Sequence, residues 1–464
     1  MTVLLILAIV VGFYVAWNIG ANDVANAVGP AVGSRSLTLK QAVIVAAIFE
    51  FCGAFFLGSN VSETLEGGIV NPALFDVDNV DYLYGMLGAL MATGIWLQTA
   101  TLLGWPVSTT HTIVGGVLGF GLVYGGYEAI YWSTIGSIAV SWIISPLLGG
   151  AVAYFIFSII RRKILYHPNP LKAAIRLTPY FVFAIFSILS TIILFGGLSS
   201  LNFHLNIFLL LLIVLSIGGA ASLTSIFLLK RIKNLQPIDD TDFQVEWGLK
   251  KVQKHLERVE AVSLGDVQTR AHDLLDETKA LMGCVSSSEE RRASHYPLVE
   301  RMFAYLLAII ACFMAFAHGS NDVANVIGPL SAIVNGIQGN PLFGETVSIW
   351  LLLLGGIGIV VGLSTFGWRV IETVGKKITT LTPSRGFAAG FGAAITIMLA
   401  SKLGLPISTT HVLVGAVLGV GFARGIGALN LSTIRDIFIS WIVTVPAGAT
   451  LSILFFLALK AIFS

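Results

Sequence analysis

The sequence predicts an all-α polytopic membrane protein built from two inverted-topology repeats. Composition, a doubled pair of polar motifs and a reversal of loop charge carry that prediction. Of 464 residues, 56% are hydrophobic and 11% are charged, and the mean hydropathy is +0.87. A soluble domain carries about 25% charged residues. Gly20-Ala21-Asn22-Asp23-Val24-Ala25-Asn26-Ala27-Val28-Gly29-Pro30 returns as Gly319-Ser320-Asn321-Asp322-Val323-Ala324-Asn325-Val326-Ile327-Gly328-Pro329, 299 positions later. Pro106-Val107-Ser108-Thr109-Thr110-His111 returns as Pro406-Ile407-Ser408-Thr409-Thr410-His411, 300 positions later. Two different motifs repeating at nearly one offset mark an internal duplication. Carboxylates, amides and hydroxyls are costly at membrane depth, so their repetition points to a ligand site shared by the halves.

In chain order, the apolar spans are 2–19, 41–59, 82–103, 131–160, 179–197 and 205–229, then 302–317, 347–366, 386–401 and 433–459. Crossing a bilayer takes roughly 20 apolar residues. The stretches 105–124 and 405–423 are shorter and rich in glycine. They predict short helices or re-entrant hairpins, with Ser-Thr-Thr at the break. The total is about 10–12 membrane segments. The chain then divides into repeat 1 (1–165), a linking pair of transmembrane helices (166–229), a polar segment (230–300) and repeat 2 (301–464).

The polar segment reads as a small helical hairpin. Leu249, Val252, Leu256 and Val259 follow a three–four spacing, as do Leu264, Val267, Ala271 and Leu274, with Leu281 continuing it. These faces are expected to pack on each other. Asp239, Asp240 and Thr241 can cap the first helix, and Gly265 separates the two. Ser286-Ser287-Ser288-Glu289-Glu290 reads as a linker back to the membrane. A regulatory or dimerising role for the hairpin stays open.

Basic residues set orientation. Arg161, Arg162, Lys163, Lys172 and Arg176 mark one cytoplasmic loop, and Lys230, Arg231 and Lys233 lead into the polar segment. Arg35 and Lys40 follow the first motif, but 330–346 has no Lys or Arg. Loop 60–81 carries Glu63, Glu66, Asp76, Asp78 and Asp81 and no base, whereas 367–385 carries Arg369, Lys376, Lys377 and Arg385. Glu128 stands alone in 125–130, whose counterpart begins with Arg424. Matching loops thus swap their basic bias, which places the repeats in opposite orientations. The expected topology has external N- and C-termini and a cytoplasmic 230–300, with Lys460 as a mild exception. The N-terminus lacks a basic region before its apolar run, so no cleaved signal peptide is expected.

Asp23 and Asp322 are hard oxygen donors, as are the amide oxygens of Asn22, Asn26, Asn321 and Asn325. Dehydrated hard cations take such ligands. Asp23 and Asn26 share a helical face, as do Asp322 and Asn325. Gly29-Pro30 and Gly328-Pro329 are expected to break the helix after each set. Ser108, Thr109, Thr110, Ser408, Thr409 and Thr410 offer hydroxyls where Pro106 and Pro406 favour a chain break. Hydroxyls with free N–H groups at a helix start suit an anion. Neither motif contains Lys or Arg, so cations bound beside the anion would share the burden of its charge. The plainer reading of Asn, Ser and Thr is helix capping and interhelical hydrogen bonding.

His111 and His411 read either as structural hydrogen bonders or as proton shuttles. Glu50 stands in an apolar run and aligns with Ile359, and Glu63 and Glu372 match each other at span ends. All three glutamates are coupling or gating candidates. Cys52, Cys284 and Cys312 form no metal-binding or disulfide pattern, so no cofactor is expected. Net charge is only +2, and no nucleic-acid partner is expected.

At Gly20–Asn26, Gly319–Asn325, the two Pro-x-Ser-Thr-Thr-His blocks and Val370-Ile371-Glu372-Thr373-Val374-Gly375, the chain resembles the inorganic phosphate transporter (PiT) family. The resemblance covers nearly all the chain outside 230–300. It implies symport of inorganic phosphate with sodium, or with protons in some bacterial members. It also implies two inverted repeats around a central site, external termini and a homodimer. By position, Asp23, Asn26, Asp322 and Asn325 match the family's sodium and phosphate ligands, and the six Ser and Thr residues match its hydroxyl ligands. The reading is a sodium-coupled phosphate importer of the plasma (cell inner) membrane, working by alternating access. Its siblings are a proton-coupled phosphate or sulfate permease and a phosphate-sensing receptor. A hydrolase using Ser108 or Ser408 with His111 or His411 is the alternative from another class.

Overall fold

The structure is a computed structural model describing residues 1–75, 80–103, 107–200, 206–235, 241–284, 288–339, 347–368, 371, 381–425 and 431–463. Among the described residues it is all helix, with one isolated bridge between Val70 and Ile130. Among the described residues, eight helical stretches are long and apolar enough to cross a membrane, and two shorter apolar helices join them.

Repeat 1 contains α1 (Thr2–Gly33), α2 (Leu39–Leu57), the short α3 (Ser59–Gly67), α4 (Val80–Leu103), α5 (Thr109–Phe120) and α6 (Trp132–Ile160). Next come α7 (Pro170–Ser200) and α8 (Ile207–Leu235), then α9 (Thr241–Val262) and α10 (Asp266–Cys284) of the polar segment. Repeat 2 contains α11 (Ser288–Asp322), α12 (Ala324–Gln338), α13 (Ile349–Thr365), α14 (Pro383–Lys402), α15 (Thr409–Arg424) and α16 (Leu431–Phe463). The chain forms two compact units, one of 1–157, 187–215 and 303–464, the other of 158–186 and 216–302.

In the larger unit, helices of one repeat pack on helices of the other. A Cβ on Gly20 of α1 would overlap the Ile359 carbonyl of α13, and one on Gly319 of α11 would overlap the Glu50 carbonyl of α2. The same pairs recur one turn away or more, where Gly362 abuts the Trp17 carbonyl and Gly53 the Phe316 carbonyl. Small residues let helix backbones approach closely in lipid, where packing replaces hydrophobic burial as the driving force. Farther along, Gly115 of α5 meets Val445 of α16, and Gly415 of α15 meets Pro146 of α6. Each contact has its counterpart in the other half.

Several local expectations change. The helix does not break at Gly29-Pro30, because Pro30 lies inside α1 and the whole motif is helical and buried. Pro329 likewise lies inside α12, and the only irregularity is at Val323, between Asp322 and Ala324. A membrane helix tolerates proline where neighbouring groups satisfy the freed backbone. The break falls instead before α5 and α15, where Val107–Ser108 and Leu405–Ser408 are non-helical.

Of the acidic residues in loop 60–81, Glu66 is buried in α3. Its carboxylate accepts from Ser331 Oγ (3.0 Å) and Asn335 Nδ2 (2.7 Å) of α12. The acidic Asp81 is buried too, and Lys460 Nζ donates to it at 2.8 Å. The basic residue that strained the orientation pattern is thus neutralised by the opposite repeat.

In the smaller unit, α9 and α10 pack as a hairpin, and His272 Nδ1 lies 2.8 Å from Glu260 Oε1 across it. Its seam differs from the expected one. Ala271, Leu275 and Thr278 are buried, while Val252, Val259, Val267 and Leu274 are exposed.

Candidate functional site

Four helix segments meet at the duplicated motifs. Ser108 and Ser408 are the N-caps of α5 and α15, and each side chain accepts from the N–H of the histidine three residues on, at 3.2 and 3.3 Å. Serine is among the preferred N-caps because its oxygen satisfies a free backbone donor. These hydroxyls therefore serve the turns. The capped starts of α5 and α15 then present Thr109, Thr110, Thr409 and Thr410, all buried.

The threonines meet the first motif in two reciprocal ways. Within each repeat, Thr109 Oγ1 donates to Asp23 Oδ2, and Thr409 Oγ1 donates to Asp322 Oδ2 at 3.0 Å. Between repeats, Asn26 Nδ2 donates to Thr410 Oγ1 at 2.8 Å, and Asn325 Nδ2 donates to Thr110 Oγ1 at 3.2 Å. The loops cross as well, since Thr110 Oγ1 reaches the Ile407 carbonyl at 2.9 Å and Thr410 Oγ1 the Val107 carbonyl at 3.5 Å. Each of these three bonds is made twice. The centre is a single site with approximate twofold symmetry.

Asp322 Oδ1 and Asn325 Oδ1 are buried without a hydrogen-bond donor, as is Asn321 Oδ1. Bare buried oxygens are costly, and an oxygen-seeking cation satisfies them. Asn22 and Asn321 point their amide nitrogens elsewhere. Asn22 Nδ2 bonds Thr101 Oγ1, and Asn321 Nδ2 bonds Ser401 Oγ (3.2 Å) and the Leu405 carbonyl (3.3 Å).

His318 is the residue of this centre that sequence reasoning missed. Fully buried, it places Nε2 2.9 Å from Asp322 Oδ2 and Nδ1 3.2 Å from Glu50 Oε1. Asp23, His318 and Asp322 each offer a ligand atom within 4.8 Å of the others. The signal was available, because His318 aligns with Ile19 just as Glu50 aligns with Ile359. Both departures from the repeat fall on one contact.

Glu50 thus joins the centre, whereas Glu63 is exposed on α3. Glu372 lies outside the described residues. The His111 and His411 rings are buried and perpendicular, with centroids 4.3 Å apart, and His111 also packs on Trp142 at 3.8 Å.

A buried, twofold, oxygen-rich centre inside a bundle of bilayer-length helices defines a membrane transporter. The description "Phosphate transporter family" matches residues 19–452, and the chain belongs to that family. A Chlamydia pneumoniae protein carrying the name of a phosphate permease is 48% identical, over 99% of both chains. Inorganic phosphate transporter 2-1, chloroplastic, of Arabidopsis thaliana is 42% identical, over 96% of this chain and 70% of its own. A solved structure titled "The sodium-dependent phosphate transporter" superposes with a TM-score of 0.76 at 37% identity, covering all of both chains.

Proposed function

We propose that this chain imports inorganic phosphate with sodium as the co-transported ion. The carrying observation is the reciprocal pairing of hydroxyls with Asp23, Asn26, Asp322 and Asn325 in one buried centre. Phosphate takes the hydroxyls of Thr109, Thr110, Thr409 and Thr410 and the N–H groups at the starts of α5 and α15. Sodium takes carboxylate and amide oxygens, Asp322 Oδ1 and Asn325 Oδ1 first because these atoms lack donors. Each ion lowers the cost of burying the other. A carboxylate acceptor also favours a protonated phosphate over sulfate, which has no proton to donate near neutral pH. Import of one net positive charge per cycle would draw roughly 2.3 kcal/mol from each 100 mV of membrane potential.

The chain works in the plasma (cell inner) membrane with external termini and a cytoplasmic 230–300, following its loop charges. It acts as a homodimer, as the family resemblance implies. A rocking of the repeats about the shared centre gives alternating access.

The Glu50–His318–Asp322 row favours a second reading, in which protons replace or accompany sodium, since imidazole between carboxylates can carry a proton. Uptake of labelled phosphate into proteoliposomes separates the two. An inward sodium gradient should drive accumulation that excess sulfate leaves intact. Accumulation on a proton gradient alone would move the protein to the sibling function, and binding without accumulation under either gradient would sink transport. Glu50→Gln keeps the shape of the side chain but removes one charge facing His318. Uptake is expected to fall about tenfold to a hundredfold, as loss of a charged hydrogen bond implies. An unchanged rate would remove Glu50 from the centre.

A further inference from the structure

We infer that one edge of the α9–α10 hairpin is the docking face for the same edge of a second copy of this chain. The proposal deepens the homodimer reading and rests on it. Five positions of α9, Leu249, Gln253, Leu256, Glu260 and Ser263, are half-buried, and they alternate at four- and three-residue intervals. On α10 the matching set is Ala271, Leu275, Thr278 and Met282, the first three buried. These are the a and d positions of a heptad, and they form the seam inside the hairpin.

A second apolar series remains outside that seam. Val245, Val252 and Val259 recur every seven residues on α9, and Val267, Leu274 and Leu281 do so on α10. All six occupy the g position. They are between 43% and 58% exposed, although the seam residues beside them are not. In an antiparallel pair the g positions of both helices line the same edge. The opposite edge, at the e positions, carries Lys250, Glu257, His272 and Lys279, with Leu264 at the turn. One edge of the hairpin is therefore apolar over its whole length and the other is charged away from the turn. An apolar series that continues outside a two-helix seam calls for a further helix to cover it, as in a bundle.

Charge selects the occupant. The positions flanking the apolar edge on α10 hold Arg270 and Glu277, on either side of Leu274. A twofold axis over Leu274 brings an antiparallel copy of α10 alongside, with each Arg270 opposite the other copy's Glu277. An isologous contact needs such self-complementarity. A membrane surface would instead call for uniformly basic flanks, and His255, Arg270 and Glu277 are mixed in sign. Helices of this length span roughly 30 Å. Two of them side by side offer about 600 Å² per copy, approaching the ~800 Å² of a standard interface.

The test uses the full-length protein in lipid nanodiscs, with Cys52, Cys284 and Cys312 replaced by alanine. Leu274→Cys lies near the axis and is expected to cross-link to itself under mild oxidation, about tenfold faster than Asp273→Cys on the outer face, because a disulfide needs Cα atoms within about 7 Å. Leu274→Asp should weaken dimerisation of the full chain about a hundredfold by mass photometry, as a charge in an interface core does. Arg270→Glu should weaken it too, and adding Glu277→Arg should restore it. A dimer that survives Leu274→Asp, with equal cross-linking at the two cysteines, would overturn the hairpin interface and leave the homodimer reading standing. A wild-type chain that is monomeric throughout would overturn both. Protection of Leu274→Cys from a thiol reagent in cell membranes but not in nanodiscs would assign the edge to another protein, against the proposal.

Discussion

Asp322→Asn is expected to abolish phosphate accumulation while the protein still folds and inserts. Asp322 accepts from Thr409 Oγ1 at 3.0 Å, lies 2.9 Å from His318 Nε2, and keeps Oδ1 free of donors. Asparagine preserves the shape and removes the charge. It also places an N–H₂ where an oxygen faced either the Thr409 hydroxyl or a bound cation. Removing one partner of a buried charged set costs about 3–5 kcal/mol, a factor of at least about one hundred in uptake. Asp23→Asn should behave alike, because Thr109 binds Asp23 as Thr409 binds Asp322. Ligand binding supplies the control. Sodium with phosphate should raise the melting temperature of the wild type and leave that of either variant unmoved, since only a ligand that binds the folded state stabilises it. Retention of half the wild-type uptake in either variant would remove that carboxylate from the transport cycle.

Gly20→Leu and Gly319→Leu are expected to prevent folding altogether. At each position even a Cβ would overlap a backbone carbonyl of the crossing helix, Ile359 for Gly20 and Glu50 for Gly319. No rotamer relieves a clash with main chain. The helices would have to separate, and Gly362 against Trp17, or Gly53 against Phe316, would lose contact with them. Overpacking of this kind costs about 3 kcal/mol or more, a large part of an ordinary domain's stability. Gly136→Leu supplies the comparison, because nothing lies within 4 Å of its Cβ position. Size-exclusion profiles of the three variants after mild detergent extraction would decide. Monodisperse Gly20→Leu would mean the α1–α13 crossing is not as close as described.

The doubled motifs made the centre legible before any coordinates. Asp23, Asn26, Asp322, Asn325 and four threonines converge as their repetition suggested, and the chain breaks at Ser-Thr-Thr as proline placement suggested. What stayed hidden was hidden for physical reasons. A Gly-Pro pair signals a break in water, but in a membrane bundle Pro30 and Pro329 stay helical. Glu66 read as an acidic loop residue because nothing local marks its partners Ser331 and Asn335, which lie more than 260 positions away. Three–four spacing on α9 and α10 fits two faces at once, and only burial separates Leu256 from Val259. His318 escaped because motif alignment rewards what repeats, and its importance lies in failing to repeat.

The exchange of partners between the repeats bears on how the chain is made. While it is being synthesised, α1 and α2 reach the bilayer with the faces of Gly20 and Gly53 uncovered, because α13 and α11 do not yet exist. At about 5–20 residues per second, the ribosome needs roughly ten to thirty seconds to travel from Ile160 to Phe316. Through that interval the first half is a membrane-inserted intermediate whose closest-fitting surfaces face lipid or an insertion factor. Two nascent chains side by side carry the same unfilled faces, and each could lend its late half to the other's early half. The pattern that makes one shared ion centre from two copies of a motif thus also makes the final third of the chain the step that completes folding.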